Sequence, residues 1–240
     1  NSFCNENLCQ PYFIYPRSEQ LNQHIDLSGN WELSHLSRPI ASIDELMNNK
    51  KDPFLTQIPN SVHWSYQKAG KLPHPYVSLN HLQYSWVTDQ VWYYQKKVLI
   101  PETARGNSII LCFDGIDYFS KVWVNDSLIG EHEGMFGGPV IDVSSLVRIG
   151  KINEITVEVK AGNWENSNYN SISTGKIIKP WITGGGGVGR NIFFSVGMWR
   201  GARIEIMPEF HIDRPFLTTK KVTRQKATLQ LSLEILAKIT

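Results

Sequence analysis

Glu131 and Glu133 stand two residues apart, with His132 between them. On a β-strand successive side chains alternate faces, so the two carboxylates share one side and His132 takes the other. A retaining glycosidase uses two carboxyls, one as acid/base and one as nucleophile, about 5–5.5 Å apart. That chemistry also requires one carboxyl raised in pKa by burial and a cleft the size of a sugar. The surrounding stretch, residues 113–136, alternates apolar positions around a polar turn at Asn125 and Asp126. This is the pattern of a plain surface β-hairpin. Glu131, Glu133, Asp114 and Trp123 are therefore expected to build the hairpin, and His132 to pack or hydrogen-bond locally.

A second group lies in residues 162–198, which show little strand character. Trp164, Trp181 and Arg190 occur there, together with Gly184-Gly185-Gly186-Gly187. A Trp face can stack on the C–H face of a pyranose, and Arg can donate in-plane hydrogen bonds to hydroxyls. These three are the candidate carbohydrate contacts, the alternative being that the aromatics pin the loop to the body. A phosphate cradle needs a preceding strand, a following helix and usually a closing lysine. Residues 188–194 supply neither lysine nor helix pattern, so the glycines read as a turning loop open to positive φ. Asn125-Asp126-Ser127 fits a glycosylation sequon, but a hairpin turn selects Asn and Asp there anyway.

The elements that position these residues are mostly strands. Short apolar–polar runs at 29–33, 92–100, 107–113, 121–124, 153–160 and 201–207 are punctuated by Gly, Pro, Asn and Asp. That punctuation is characteristic of an all-β sandwich or jelly roll. Residues 42–51 form the best helix candidate, with Ser42 as cap and Ile43, Leu46 and Met47 on one face. A break at 208–215 precedes a new alternating series at 216–240, where Leu229, Leu231, Leu233 and Ile235 share a face. Two or three strands do not make a stable sandwich, so this series reads as the start of a truncated second domain.

Bulk properties set further bounds. The 240 residues hold one large β domain, or one plus part of another, and the net charge of +2 comes from scattered Lys and Arg. No basic stripe suggests nucleic acid, and no apolar run reaches the roughly 20 residues of a membrane span. The chain does not open on Met and shows no signal peptide, which points to a processed or excised piece of a longer protein. Of three cysteines, Cys112 sits in an apolar run as a small buried hydrophobe. Cys4 and Cys9 would bond in an exported protein, the favoured location, and stay reduced in a cytoplasmic one. No Cys or His spacing suggests zinc, and no cofactor is expected.

Several motifs occur in an order that resembles family 2 glycoside hydrolases, the β-galactosidase, β-glucuronidase and β-mannosidase group. They are Leu27-Ser28-Gly29-Asn30-Trp31, Ile58-Pro59-Asn60-Ser61-Val62-His63 and Lys71-Leu72-Pro73-His74-Pro75-Tyr76 with Asn80 and Trp86-Val87. Trp92-Tyr93-Tyr94-Gln95-Lys96-Lys97, the hairpin, Asp142-Val143-Ser144-Ser145-Leu146 and Gly197-Met198-Trp199-Arg200 follow. The resemblance covers residues 27–207. It implies an N-terminal extension at 1–20, a galactose-binding-like jelly-roll β-sandwich at 21–208, and the first strands of an immunoglobulin-like sandwich at 209–240. A TIM barrel carrying both catalytic glutamates would lie elsewhere in the parent enzyme, leaving no catalytic residue in this chain. Tyr76 and Asn80, in a Pro-bounded loop, join Trp164, Trp181 and Arg190 as candidate contacts facing the barrel mouth. Trp31, Trp92, Trp123 and Trp199 are expected in strands as core or interdomain residues.

Two departures stand out. β-Mannosidases carry Trp-Asp-Trp-Gly before the closing strand, where residues 180–191 here contain no aspartate, and His81 replaces the family's Glu after Asn80. The expected role is a non-catalytic portion of an exo-acting β-glycosidase that buttresses the barrel and lends loop residues to the substrate rim. Its partners would be the β-glycoside substrate and the rest of its own chain, with homo-oligomerisation open. A stand-alone carbohydrate-binding module, or an extracellular structural domain without a sugar site, are the alternatives.

Overall fold

A computed structural model describes residues 23–162, 195–208 and 210–237. Its elements are β1 (Gln23–Asp26), β2 (Gly29–Leu36), α1 (Ile43–Asn49), β3 (Lys51–Ile58), α2 (Val62–Lys68), β4 (Val91–Leu99) and β5 (Ser108–Phe113). There follow β6 (Phe119–Val124), β7 (Ser127–Glu133), β8 (Val140–Asp142), β9 (Ile152–Lys160), β10 (Ala202–Met207), β11 (Phe210–Val222) and β12 (Ala227–Ala237). Two 3-10 segments, Asn80–Asp89 and Glu102–Ala104, complete the set.

The strands form a six-stranded sheet in the order β3-β2-β4-β9-β6-β7 and a four-stranded sheet in the order β1-β10-β5-β8. All their pairings are antiparallel. Alternating residues from the facing sides meet in one core. Trp31, Leu33, Tyr94, Val122, Ile155, Val157 and Val159 come from the larger sheet, and Ile109, Leu111, Phe113, Ala202, Ile204 and Ile206 from the smaller. This is the expected all-β sandwich.

The hairpin forms as its turn chemistry predicts. Asn125 adopts φ 55°, the left-handed conformation that Asn tolerates. Its side-chain amide donates to Leu146 O at 3.3 Å and to Asn153 Oδ1 at 3.2 Å, while its oxygen accepts from Glu154 N–H at 3.2 Å. The sequon asparagine is thus engaged in holding the turn to β9. The predicted helix also forms: Ser42 caps α1 by accepting from Glu45 N–H, and Leu46 is buried. Met47, placed on the buried face by the sequence pattern, is half exposed instead, its sulfur accepting from Gln95 Nε2 at 3.5 Å at the edge of the cover.

Three features differ from expectation. First, β4 is buried on both sides from Val91 to Gln95. Leu36, Leu46, Val91 and Tyr93 build a second small core on the outer face of the larger sheet, so simple one-sided alternation fails there. Second, α2 has no helical hydrophobic stripe. Its buried face includes Ser65, whose hydroxyl donates to Ser61 O at 2.9 Å and accepts from the Thr56 hydroxyl at 2.6 Å. Third, the chain does not break across 208–215: β11 starts at Phe210, and Pro215 falls where the β11–β12 register shifts between Asp213 and Phe216. Proline is tolerated at such a bulge because no ladder donor is required of it.

β11 and β12 make a separate two-stranded sheet. Ile212 lies opposite Ile235 and Leu217 opposite Leu231, on the face shared by Leu229 and Leu233, and all six side chains are exposed.

Candidate functional site at one end of the sandwich

Asp117 and Gly197 exchange backbone hydrogen bonds, each N–H donating to the other's carbonyl at 2.9 Å. The next residue, Tyr118, donates its N–H to Lys160 O at 3.0 Å. Asp117-Tyr118 is thereby clamped between the end of β9 and the strand-like residues 195–198. Those residues are also tied to the start of α2, with Asn60 N–H donating to Met198 O and Val62 N–H to Val196 O, both at 2.9 Å. The described residues on either side of 163–194 are therefore brought together at Asp117-Tyr118. Trp164, Trp181, Arg190 and the glycine run, like Cys4 and Cys9, lie outside the described residues.

The other predicted pair is placed beside that point. Val62 opens α2, and two residues on Trp64 packs against the loop that carries Tyr76 and Asn80. The ring centroids of Trp64 lie 5.2 Å from His74 and 6.1 Å from Tyr76, and His74 lies 5.8 Å from Tyr76. Asn80 donates its amide to His74 O at 3.0 Å, and Tyr84 donates its hydroxyl to Pro73 O at 2.7 Å. Asn80 thus shapes the loop, while Tyr76 presents a ring that is 49% exposed and whose phenol is raised in pKa by partial burial. Beneath them His63 is fully buried, and desolvation pushes its imidazole down to about 3, so it is neutral.

A third group was not legible as a site in the sequence. Trp199 lies in the turn before β10, not in a strand, and donates its indole N–H to Met135 O at 2.6 Å. Phe136 meets it edge-on at 5.6 Å, and the Arg200 guanidinium lies over the Trp199 ring at 4.4 Å. Phe136 is 51% exposed. Gly115 makes room for this arrangement, since a Cβ there would stand 2.8 Å from the Trp199 indole nitrogen. Trp199, Arg200, His74 and Phe136 each belong to an ordered motif but were not marked as contacts, and Trp64 offered no signal, because their meeting depends on the loops that bring them together. Trp31, Trp92 and Trp123 are buried in strands, as expected.

Glu133 ends β7 opposite Phe119, near enough to Tyr118 to help raise its phenol pKa, after desolvation. Glu131 and Glu133 project from the edge strand β7, both exposed, and Glu131 pairs with Lys121 at 2.9 Å. His132 turns to the opposite, inner face, across from Ser120 in register, and its Nε2 is buried without a hydrogen-bond partner. Asp114 is held by Arg203, whose guanidinium donates to it and to Glu205, both at 2.6 Å. Among the described residues no group of three or more His, Cys, Asp or Glu could hold a metal ion. Because exposed ion pairs contribute little, Glu131→Gln or Glu133→Gln is expected to change unfolding free energy by less than about 1 kcal/mol in a denaturant titration.

Residues 44–187 match the sequence profile of the family described as glycosyl hydrolase 2 galactose-binding domain-like. The chain belongs to that family. Beta-mannosidase B of Aspergillus niger is 30% identical over 179 residues, which cover 68% of this chain and 21% of that protein. Beta-mannosidase B of Emericella nidulans is 35% identical over 92 residues, 38% of this chain and 11% of the relative. The chain spans about a fifth of the length of the first of these curated relatives. A beta-D-mannosidase structure from Dictyoglomus thermophilum superposes with TM-score 0.71 at 22% identity, over 90% of this chain and 26% of that one. The apo β-glucuronidase of Ruminococcus gnavus gives TM-score 0.66 at 19% identity, over 94% and 36% respectively. At those identities the structures establish the fold. The galactose-binding-like sandwich predicted from the ordered motifs is the one observed. Among the described residues no helix is long and apolar enough to cross a membrane.

Proposed function

We propose that this galactose-binding-like domain is the non-catalytic portion of an exo-acting β-glycosidase, and that the sandwich end around Asp117 and Gly197 lines the rim of its substrate site. The observation that carries this reading is convergence. The described residues 195–198, on one side of 163–194, and the Trp64–His74–Tyr76 group are both anchored on the first turn of α2. Tyr76, with Trp164, Trp181 and Arg190, supplies the stacking and in-plane donor chemistry that sugars require. Asn80 acts by shaping the Tyr76 loop. The exposed positions of Glu131 and Glu133 support the absence of hydrolytic chemistry from this chain, since neither carboxyl is desolvated as an acid catalyst needs.

The β11–β12 sheet supports a second part of the reading. A two-stranded sheet with one exposed apolar face is marginal in water, so we assign it as the opening of an immunoglobulin-like sandwich whose other strands cover that face. The decisive experiment offers aryl β-mannosides, β-galactosides and β-glucuronides to the 240-residue chain and to its full-length parent. The parent is expected to turn over one of them, and Tyr76→Ala in the parent to lower kcat/KM about tenfold or more. Turnover by the pure 240-residue chain would overturn the non-catalytic assignment. Tight binding of free sugar by that chain, with a parent indifferent to Tyr76→Ala, would favour an independent carbohydrate-binding module.

A further inference from the structure

The outer face of the six-stranded sheet carries a row of polar side chains in register across five strands: Ser34, Tyr93, Glu158, Lys121 and Glu131. Most of such a row would ordinarily be wet. Here Glu158 is fully buried, beside the small core that α1 and Ile40 close over Tyr93. The Tyr93 hydroxyl donates to Glu158 Oε2 at 2.8 Å and accepts from the Ile40 N–H at 3.1 Å. Glu158 is therefore linked, through one phenol, to the connection that precedes α1. Its other oxygen, Oε1, is buried with no hydrogen-bond partner.

Other charges face this carboxyl from each neighbouring element. Lys121 of β6 is shared with Glu131 of β7, and Lys160 lies two residues along β9. From α1, Glu45 approaches Tyr93, and it is itself occupied by Arg38 at 2.6 Å. One row away Lys50 is paired with Glu32, and Gln95 donates to Glu154 at 2.9 Å. Desolvation holds the carboxyl above its usual range, outweighing the Tyr93 hydroxyl, the two lysines and the Ile40 N–H, all of which favour the ionised form.

We propose that Glu158 is a proton-operated latch: protonated, it keeps residues 37–49 closed over the outer face of the sheet, and ionised, it lets them lift. Losing its proton to water leaves a buried charge with one unpartnered oxygen. Lifting the cover hydrates that charge, at the expense of the small core around Leu36, Leu46, Val91 and Tyr93. For an acid whose value is raised in the closed state, closure is most stable below the ordinary carboxylate range. That stability declines as pH rises from there through the raised value, and is then constant.

Amide hydrogen exchange on the intact protein, normalised for intrinsic rates, tests this between about pH 4 and 8. Protection at Ile40 and Lys50 is expected to fall about tenfold or more across the window, tenfold for each unit by which the two states differ. Glu158→Gln is expected to hold protection constant across the window. A flat profile in the unaltered protein, or an unchanged pH dependence in Glu158→Gln, would overturn the latch. If Glu158→Gln does not fold, Lys121→Gln provides the second arm. Removing that cation must move the loss of protection to higher pH, and an unmoved midpoint counts against the proposal.

Discussion

Gly197→Ala is expected to cost about 2–4 kcal/mol of unfolding free energy, the sum of left-handed backbone strain and overpacking. Gly197 holds φ 134°, which side-chain-bearing residues rarely adopt. A Cβ there would stand 2.7 Å from the Tyr94 hydroxyl and 3.2 Å from both Asn60 O and Val62 N. The last two are backbone atoms and cannot swing aside. Gly29 is the natural control, because it has φ 83° but a Cβ on it would meet nothing within 4 Å. Gly29→Ala therefore reports the conformational part alone. Denaturant midpoints for both variants separate strain from collision. A loss in Gly197→Ala no larger than in Gly29→Ala would remove the steric argument. Tyr94→Phe combined with Gly197→Ala should recover part of the loss, since the shortest collision is with the hydroxyl.

Trp92→Ala is the second large effect, expected at about 3–5 kcal/mol. The indole is fully buried and donates to Val87 O at 2.8 Å, tying β4 to the end of the 3-10 segment. Around it stand His35 at 5.1 Å, Tyr66 at 5.6 Å and Trp86 at 5.7 Å between ring centroids. Truncation leaves a cavity among three rings and an unpaired buried carbonyl, two penalties that add. Against a total stability of about 5–15 kcal/mol for a domain of ordinary size, this is a large fraction. Trp92→Phe keeps most of the volume and should lose roughly half as much. Thermal unfolding followed by circular dichroism measures both, and a loss below about 1 kcal/mol in Trp92→Ala would mean that the neighbouring rings collapse into the space.

The candidate site shows how far a sequence can carry such an argument. Tyr76 and Asn80 could be chosen from a Pro-bounded loop, yet only the fold separates an exposed ring from an amide engaged with His74 O. Trp64 had no local signal, and His74 stood in a family motif without being marked as a contact, because a side chain becomes part of a site through neighbours distant in sequence. The carboxylate pair shows the converse. Alternation correctly placed Glu131 and Glu133 on one face, and their position on the edge strand β7 then leaves both in water.

What the chain alone determined was everything that depends on near neighbours. Asn125 and Asp126 set the hairpin turn, Ser42 capped α1, alternation marked β9 and β10, and the ordered motifs identified the family. The tertiary structure decided what covers each face. Thr156 and Glu158 look solvent-facing by alternation and are buried, since α1 and Ile40 close over the second side of β4 and β9. α2 was invisible because its buried serine is satisfied by Ser61 and Thr56 rather than by an apolar stripe. Periodicity reports whether a strand has a wet side. Which element later shields that side is a matter of pairing across tens of residues, and only the assembled sandwich shows it.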